Sequence, residues 1–151
     1  MEQYEVEETE FGVIPMTDYP FNTTPQGRLI NIGTAGGQVK GSSGYAFKRI
    51  QRRMQVFAAD WAQKGVPDPA LLRSKKRFRC YDSVFLRALN DGLAPAHLVF
   101  SSFFRNLSGV AVFRFLDEDS SLLEDFRALR SVPIIPFSRA AFRQLRKLFY
   151  V

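Results

Sequence analysis

The stretch NIGTAGGQVKGSSGYAFKRIQ, residues 31–51, decides how this chain reads. The short apolar run Leu29 to Ile32 ends in Gly33-Thr-Ala-Gly-Gly37, and within ten residues the chain has turned basic and aromatic with helical spacing. A strand that ends in glycine and hands over to a helix near Ser43 or Gly44 gathers backbone N–H groups, unobstructed by Cβ atoms, around one point. Such a point suits an anion or a flat ring, and Lys40 sets a full positive charge beside it. The spacing is neither the G-x-G-x-x-G dinucleotide fingerprint nor a phosphate loop closed by Gly-Lys-Ser/Thr. On pattern alone two readings stay open: contact with a phosphate or cofactor, or a tight turn whose glycines let helix and sheet pack closely.

Working outward, the glutamates and hydrophobic residues of Tyr4 to Glu8 alternate and Phe11 to Met16 is an apolar run, so both are read as strand, with Pro15 at an edge or end. Asp18 to Gly27 is rich in turn formers and connects them to the Leu29–Ile32 strand, which makes a short β hairpin. From Ser43 to Lys64, Phe47, Ile50, Met54, Phe57, Ala58 and Trp61 recur three or four apart, and Gly65 with Pro67 closes that helix. Beyond it the spacing predicts helices over residues 78–91 and 95–105, a short one reaching Leu116, one begun by the Ser121-Leu-Leu-Glu124 capping box and stopped by Pro133, and a last one from about Pro136. The expected fold class is α+β. Residues 1–66 hold the strands, the glycine-rich turn and the long helix, and residues 67–151 form a helical region.

A length of 151 residues with 46% apolar content suits about one domain with a buried core. The chain shows no secretory signal and no apolar run near the ~20 residues needed to cross a bilayer. Its single cysteine excludes an internal disulfide, so a reducing, cytoplasmic setting is expected. Residues 1–20 carry six carboxylates and no Lys or Arg, so the net +6 of the chain becomes +12 on the remainder. A field of that sign attracts nucleic acid, anionic lipid or a phosphorylated cofactor without choosing among them.

Several blocks in register then resemble one family. Phe11-Gly-Val-Ile-Pro-Met16, Ile32-Gly-Thr-Ala-Gly-Gly37, Lys40-x-Ser-Ser-Gly-Tyr45, Arg77-Phe78, Tyr81-Asp82, Phe104-x-Arg-Asn106, Arg114-Phe-Leu-Asp-Glu-Asp-Ser-Ser-Leu122, Pro133 and Pro136-Phe137 look like the C-terminal portion of the flavin-dependent lycopene cyclases, of beta-cyclase type. The resemblance implies part of an FAD/NAD(P)-binding, Rossmann-like flavoprotein of the p-hydroxybenzoate hydroxylase or geranylgeranyl reductase type. It implies that Gly33, Thr34, Ala35, Gly36, Gly37, Ser43, Gly44 and Tyr45, with Lys40 near them, line reduced FAD. Ile14, Pro15, Met16 and Thr17 would border the substrate, lycopene or a related linear carotene. The implied reaction is a non-redox cyclisation: a carotene end group is protonated, a neighbouring alkene closes the ring on the cation, and a proton leaves.

The sequence also departs from the family's pattern. Gly41 stands where the family usually has proline and Ser43 where it usually has threonine, which implies a looser turn. No G-x-G-x-x-G segment is present, and the family's acid-bearing glutamate motif lies upstream of anything here. The chain therefore reads as incomplete: a fragment, or one half of a split enzyme whose other half, or self-association, covers an exposed hydrophobic face.

No catalytic residue and no metal ligand is assigned among the rest. The N-terminal glutamates read as a solvated face, Asp117-Glu118-Asp119 as charges preceding a helix, His97 as a surface residue and Cys80 as packing. Ser74 to Arg79 reads as a solvated helix start and not as a nucleic-acid patch. The last helix sets Phe137, Ala141, Leu145, Leu148 and Phe149 opposite Arg139, Arg143, Arg146 and Lys147, which suits either an anionic membrane surface or its own core. Two other functions fit the same residues: an FAD-dependent polyprenyl reductase or monooxygenase, and a non-enzymatic basic module at a membrane surface.

Overall fold

The computed structural model describes residues 5–24 and 29–149, with side chains to residue 144. Six helices follow one another: α1 (Phe47–Lys64), α2 (Lys76–Asn90), α3 (Ala96–Asn106), α4 (Gly109–Leu116), α5 (Leu122–Arg130) and α6 (Ile134–Phe149), with a 3-10 turn (Pro69–Leu72) between the first two. The capping box is formed as its spacing requires, Ser121 Oγ accepting from the Glu124 N–H and the Glu124 carboxylate from the Ser121 N–H. Gly65 closes α1 in the left-handed conformation, donating to the Trp61 carbonyl. The long helix starts at Phe47 and not at Ser43 because Gly44 has φ +71°, which a right-handed helix cannot continue through.

No strand occurs among the described residues. The expected β hairpin, and with it the Rossmann-like α+β class, is replaced by an all-helical architecture. The reason is physical: an apolar or alternating run is only half of a strand, and the other half is a neighbour that completes the hydrogen-bond ladder. Residues 11–16 have none among the described residues, and Phe11 stays 90% and Val13 80% exposed. Among the described residues the two limbs meet in a pinch, where the Asn31 N–H donates to the Thr23 carbonyl (2.9 Å) and Asn31 Nδ2 to the Asn22 carbonyl (3.1 Å). Tyr4 and the turn at 25–28 lie outside the described residues.

The core is a set of aromatic contacts between helices. Phe115 of α4 meets Phe78 and Tyr81 of α2 and Phe103 of α3, while Phe85 of α2 meets Phe100 of α3 and Phe137 of α6. The last helix docks on α2 through Phe137 and the fully buried Ala140, and Arg143 on α6 pairs with Asp91 at the end of α2. Phe137 and Ala140 thus cover the chain's own core, while Ile134, Ile135 and Phe142 of the same helix stay exposed. Its residues Leu145, Arg146, Lys147, Leu148 and Phe149 have side chains outside the described residues. Cys80, expected to pack, is exposed. It lies two residues after Phe78, which puts it on the solvent side of α2.

Charged groups tie the helices together. Asp117, Glu118 and Asp119, just past α4, face the basic side of α1: Lys48 pairs with Asp117 (2.8 Å), Arg49 and Arg53 with Glu118, and Arg52 with Asp119 (2.9 Å). They bind α1 and do not serve the start of α5. The Glu124 carboxyl is held below its ordinary value, first by the Ser121 N–H and then by the Ser121 hydroxyl, and Asp119 is held below its own by Arg52. Above the ordinary carboxylate value these groups are ionised in both folded and unfolded chains, and the stabilisation is fully present. As pH falls through the depressed folded values the unfolded chain takes up protons first and the stabilisation is lost. Glu124→Gln keeps the cap geometry and removes the charge. It is expected to flatten the acid limb of a melting-temperature profile recorded between about pH 5 and pH 3, near ordinary carboxylate values; an unchanged limb would place the titration elsewhere.

Candidate functional site

The loop from Gly33 to Tyr45 is built from its own backbone. The Gly33 N–H donates to Gln38 Oε1 (3.0 Å), the Gln38 N–H returns to the Gly33 carbonyl (3.0 Å), and the Gly37 N–H donates to the Thr34 carbonyl (3.0 Å). A second turn follows, in which the Lys40 carbonyl accepts from the Ser43 and Gly44 amides (3.2 and 2.8 Å), the Lys40 N–H donates to the Tyr45 carbonyl, and Ser43 Oγ accepts from the Tyr45 N–H. Among the described residues the Thr34, Ala35, Val39, Gly41 and Ser42 amides have no such partner, and of these residues Thr34 and Ala35 are the exposed ones.

The glycines are required by close approach. A Cβ on Gly36 would stand 2.3 Å from the Asn31 carbonyl oxygen, one on Gly41 2.5 Å from the Thr17 carbonyl oxygen, and one on Gly37, at φ +69°, 2.9 Å from Phe21 Cβ. Gly44, at φ +71°, has Ile14 Cγ2 at 3.0 Å. Segment 14–21 is thereby laid along the loop, and Asp18 secures it by accepting from Ser83 Oγ on α2 (2.8 Å). Gly33 differs: it has φ +62° and open space where a Cβ would be. Because the Asn31 oxygen belongs to backbone that is itself hydrogen-bonded, Gly36→Ala forces a main-chain shift. It is expected to lower the unfolding free energy by about 1–3 kcal/mol, the overpacking range, measured by urea denaturation; a change within about 0.5 kcal/mol, the ordinary surface range, would mean the loop yields freely.

The residues singled out by sequence are therefore brought together. Ile14 and Thr17 abut Gly44 and Gly41, so the segment expected to border substrate touches the turns expected to border cofactor. Along 14–17 the half-buried Pro15 and Thr17 alternate with the exposed Ile14 and Met16. Lys40 does not face the loop's open side. Its ammonium is fully buried, paired with Asp82 of α2 (2.8 Å) and held between the Phe78 and Phe115 rings, 5.6 and 5.2 Å from their centroids. Ser42 Oγ donates to the same carboxylate oxygen (2.6 Å).

Three supports went unread in the sequence: the Asp82 anchor, Gln38 as the pin of the loop, and Arg49. Arg49 reaches from α1 to the Gly37 carbonyl (3.4 Å) and to Glu118, and its burial pulls the guanidinium below the ordinary arginine value against the pull of Glu118. Asp82 carried a signal, for it interrupts the stripe Phe78, Phe85, Leu86 and Leu89 of α2 with a charge. Tyr45 forms part of an open depression of about 480 Å³ with Lys48, Gly109, Val110, Phe113, Arg114 and Asp117. Its phenol is pushed above the ordinary tyrosine range, first by burial and then by Asp117.

Residues 33–45 test the fit of a flavin unevenly. Most loop amides are engaged within the loop and Lys40 is engaged by Asp82, so phosphates gain little here, whereas the bare side of Gly33 and the exposed Thr34 and Ala35 form a surface a flat ring can approach. No group of three or more His, Cys, Asp or Glu placed to hold a metal occurs among the described residues. The buried carboxylates Asp82, Glu118 and Asp125 are each committed to a cation: Lys40, the Arg49–Arg53 pair, and Arg77. The family model described as "Lycopene cyclase protein" matches residues 1–142. No curated protein and no solved structure matches the chain.

Proposed function

Since this chain belongs to the lycopene cyclase family, whose function is carotenoid cyclisation and whose substrate is a carotene, we propose that it forms one wall of a site where a linear carotene end group is closed to a ring, of beta type, without net redox change. The observation that carries the reading is the contact between the two segments: Ile14 and Thr17 lie against Gly44 and Gly41, and the bare, open face of Gly33 with Thr34 and Ala35 belongs to the same loop. A hydrocarbon offers no polar handle, so it must be held by apolar surface and shape. The exposed Ile14 and Met16 supply such surface.

Reduced FAD, with its ring against Gly33, Thr34 and Ala35, would supply negative charge beside the cation formed on the end group. This chain's own residues do three things. They fix the loop through Gln38 and Arg49, they press segment 14–21 against it, and they present the apolar side chains of that segment. Neither the proton donor nor the grip on the flavin's phosphates is assigned to the residues described: their buried carboxylates are committed to Lys40, Arg49, Arg53 and Arg77. A polypeptide segment that supplied those groups would also cover Phe11 and Val13. The enzyme works at the cytoplasmic face of a membrane, where its substrate dissolves.

The test is pigment analysis of bacteria that accumulate lycopene. Cells given this chain together with the flavin-gripping and acid-bearing segments are expected to convert lycopene to a ring-bearing carotene. Conversion that proceeds equally when residues 1–151 are omitted would overturn the reading.

A further inference from the structure

Helix α5 is turned against the usual sense. It buries Asp125, 1% exposed, against Arg77 (3.1 Å), Tyr81 and Ser120, and shows Leu122, Leu123, Phe126 and Leu129 to solvent at 68%, 60%, 56% and 40%. These four residues and Arg130 stand at i, i+1, i+4, i+7 and i+8, which is one face of a helix. Burying a charge while exposing four large apolar side chains is costly in water, and a partner on the exposed face would remove that cost.

The face carries its own indication of what that partner is. Arg127 and Arg130 share an open groove with Leu123 and Phe126, and the Arg130 guanidinium lies 5.7 Å from the centre of the Phe126 ring. Arg105, at the end of α3 which reaches the same groove through Asn106 and Leu107, is exposed as well. None of these three arginines pairs with a carboxylate among the described residues, whereas the two acids of α5 are committed, Asp125 inward and Glu124 to Arg114 (3.3 Å) and the helix cap. An apolar patch rimmed by unpaired arginines, with no free acid on the helix that bears it, complements a surface that is oily beneath and negative above. Two copies meeting through this face about a two-fold axis would bring two patches of the same positive charge together. Among the described residues no helix is long and apolar enough to cross a membrane, so the contact is made from one side.

We infer that the outward face of α5, Leu122, Leu123, Phe126 and Leu129 with Arg105, Arg127 and Arg130 at its rim, rests in the headgroup layer of an anionic membrane. The inference narrows the membrane setting of the proposed function to one surface, that of α5. It can be tested without carotene. Wild-type chain is expected to float with vesicles of phosphatidylcholine and phosphatidylglycerol, and to do so less with phosphatidylcholine alone or at high salt. Leu123→Glu with Phe126→Glu is expected to reduce the bound fraction at least tenfold, with helix content and melting temperature unchanged because both sites are exposed. Arg127→Gln with Arg130→Gln is expected to weaken binding about fivefold per arginine and to flatten its salt dependence.

Wild-type chain that stays in solution with anionic vesicles, or a double-glutamate variant that binds as well as wild type, overturns the inference. So does sedimentation showing a dimer in solution that the glutamate substitutions dissociate, which would assign the face to a second copy. Vesicle binding with no cyclised carotene in the pigment assay keeps this surface and removes only the catalytic reading.

Discussion

Replacing Asp82 by alanine is expected to remove about 3–5 kcal/mol of stability, the range for breaking a buried ion pair by deleting one partner. The cost lies in what remains: the Lys40 ammonium is fully buried, enclosed by the Phe78 and Phe115 rings, and Ser42 loses the acceptor of its hydroxyl. Cation–π contact with two rings offsets part of the cost but does not replace a carboxylate at 2.8 Å. A domain's whole stability is about 5–15 kcal/mol, so the variant should unfold at low urea or fail to accumulate. Replacing both partners by apolar residues, Lys40→Met with Asp82→Leu, should recover most of the loss, because removing both charges also removes the desolvation penalty. Urea denaturation of the three proteins decides the matter. A loss under about 1 kcal/mol for Asp82→Ala would mean that water reaches Lys40 and that this pair does not hold the loop on α2.

The second large effect concerns Glu118. It is the only described non-glycine residue with positive φ, +58°, and its position explains why. The Glu118 N–H donates to the Phe115 carbonyl and the Asp119 N–H to that of Arg114, which makes it the left-handed residue of a Schellman turn ending α4. Glycine is the usual occupant, since a side chain there costs about 1–2 kcal/mol. Glutamate persists because its carboxylate, 1% exposed, is bound by both Arg49 and Arg53. Glu118→Ala keeps the strain and strands the buried Arg49, for an expected loss of about 3–5 kcal/mol. Glu118→Gly strands Arg49 but relieves the backbone, and should be less damaging than the alanine variant by about 1 kcal/mol. Equal losses would mean the turn is unstrained; a glycine variant as stable as wild type would mean the ion pairs with α1 do no more than offset the backbone strain.

Helices carry their signals locally, and so they were legible: the heptad-like spacing of Phe47 to Trp61, the glycine stop at Gly65, and the Ser121–Glu124 box all depend on residues within a turn or two of each other. The strands were misread because Phe11–Met16 and Leu29–Ile32 have strand composition but, among the described residues, no ladder. The loop was legible as a place where backbone must come close, yet the glycines of Gly36, Gly37, Gly41 and Gly44 turned out to admit the chain's own Asn31, Phe21, Thr17 and Ile14. Spacing cannot distinguish a ligand from a neighbouring segment as the thing approached. The pairing of Lys40 was hidden for the same reason: its partner Asp82 lies 42 residues away, and a pairing at that distance is fixed by tertiary packing. The face of α5 was hidden as well, since leucines at helical spacing beside an aspartate ordinarily mean leucines inward.

The claim on which the account rests is that the site serves an isomerisation. In lycopene-accumulating cells supplied with the chain and the segments that complete the enzyme, the new pigment should have the same molecular mass as lycopene and differ only in ring closure. Its amount should also exceed any stoichiometric consumption of reducing equivalents. A product heavier by two hydrogens or by one oxygen, with reductant consumed in step, would contradict the account and give the site to a reductase or a monooxygenase.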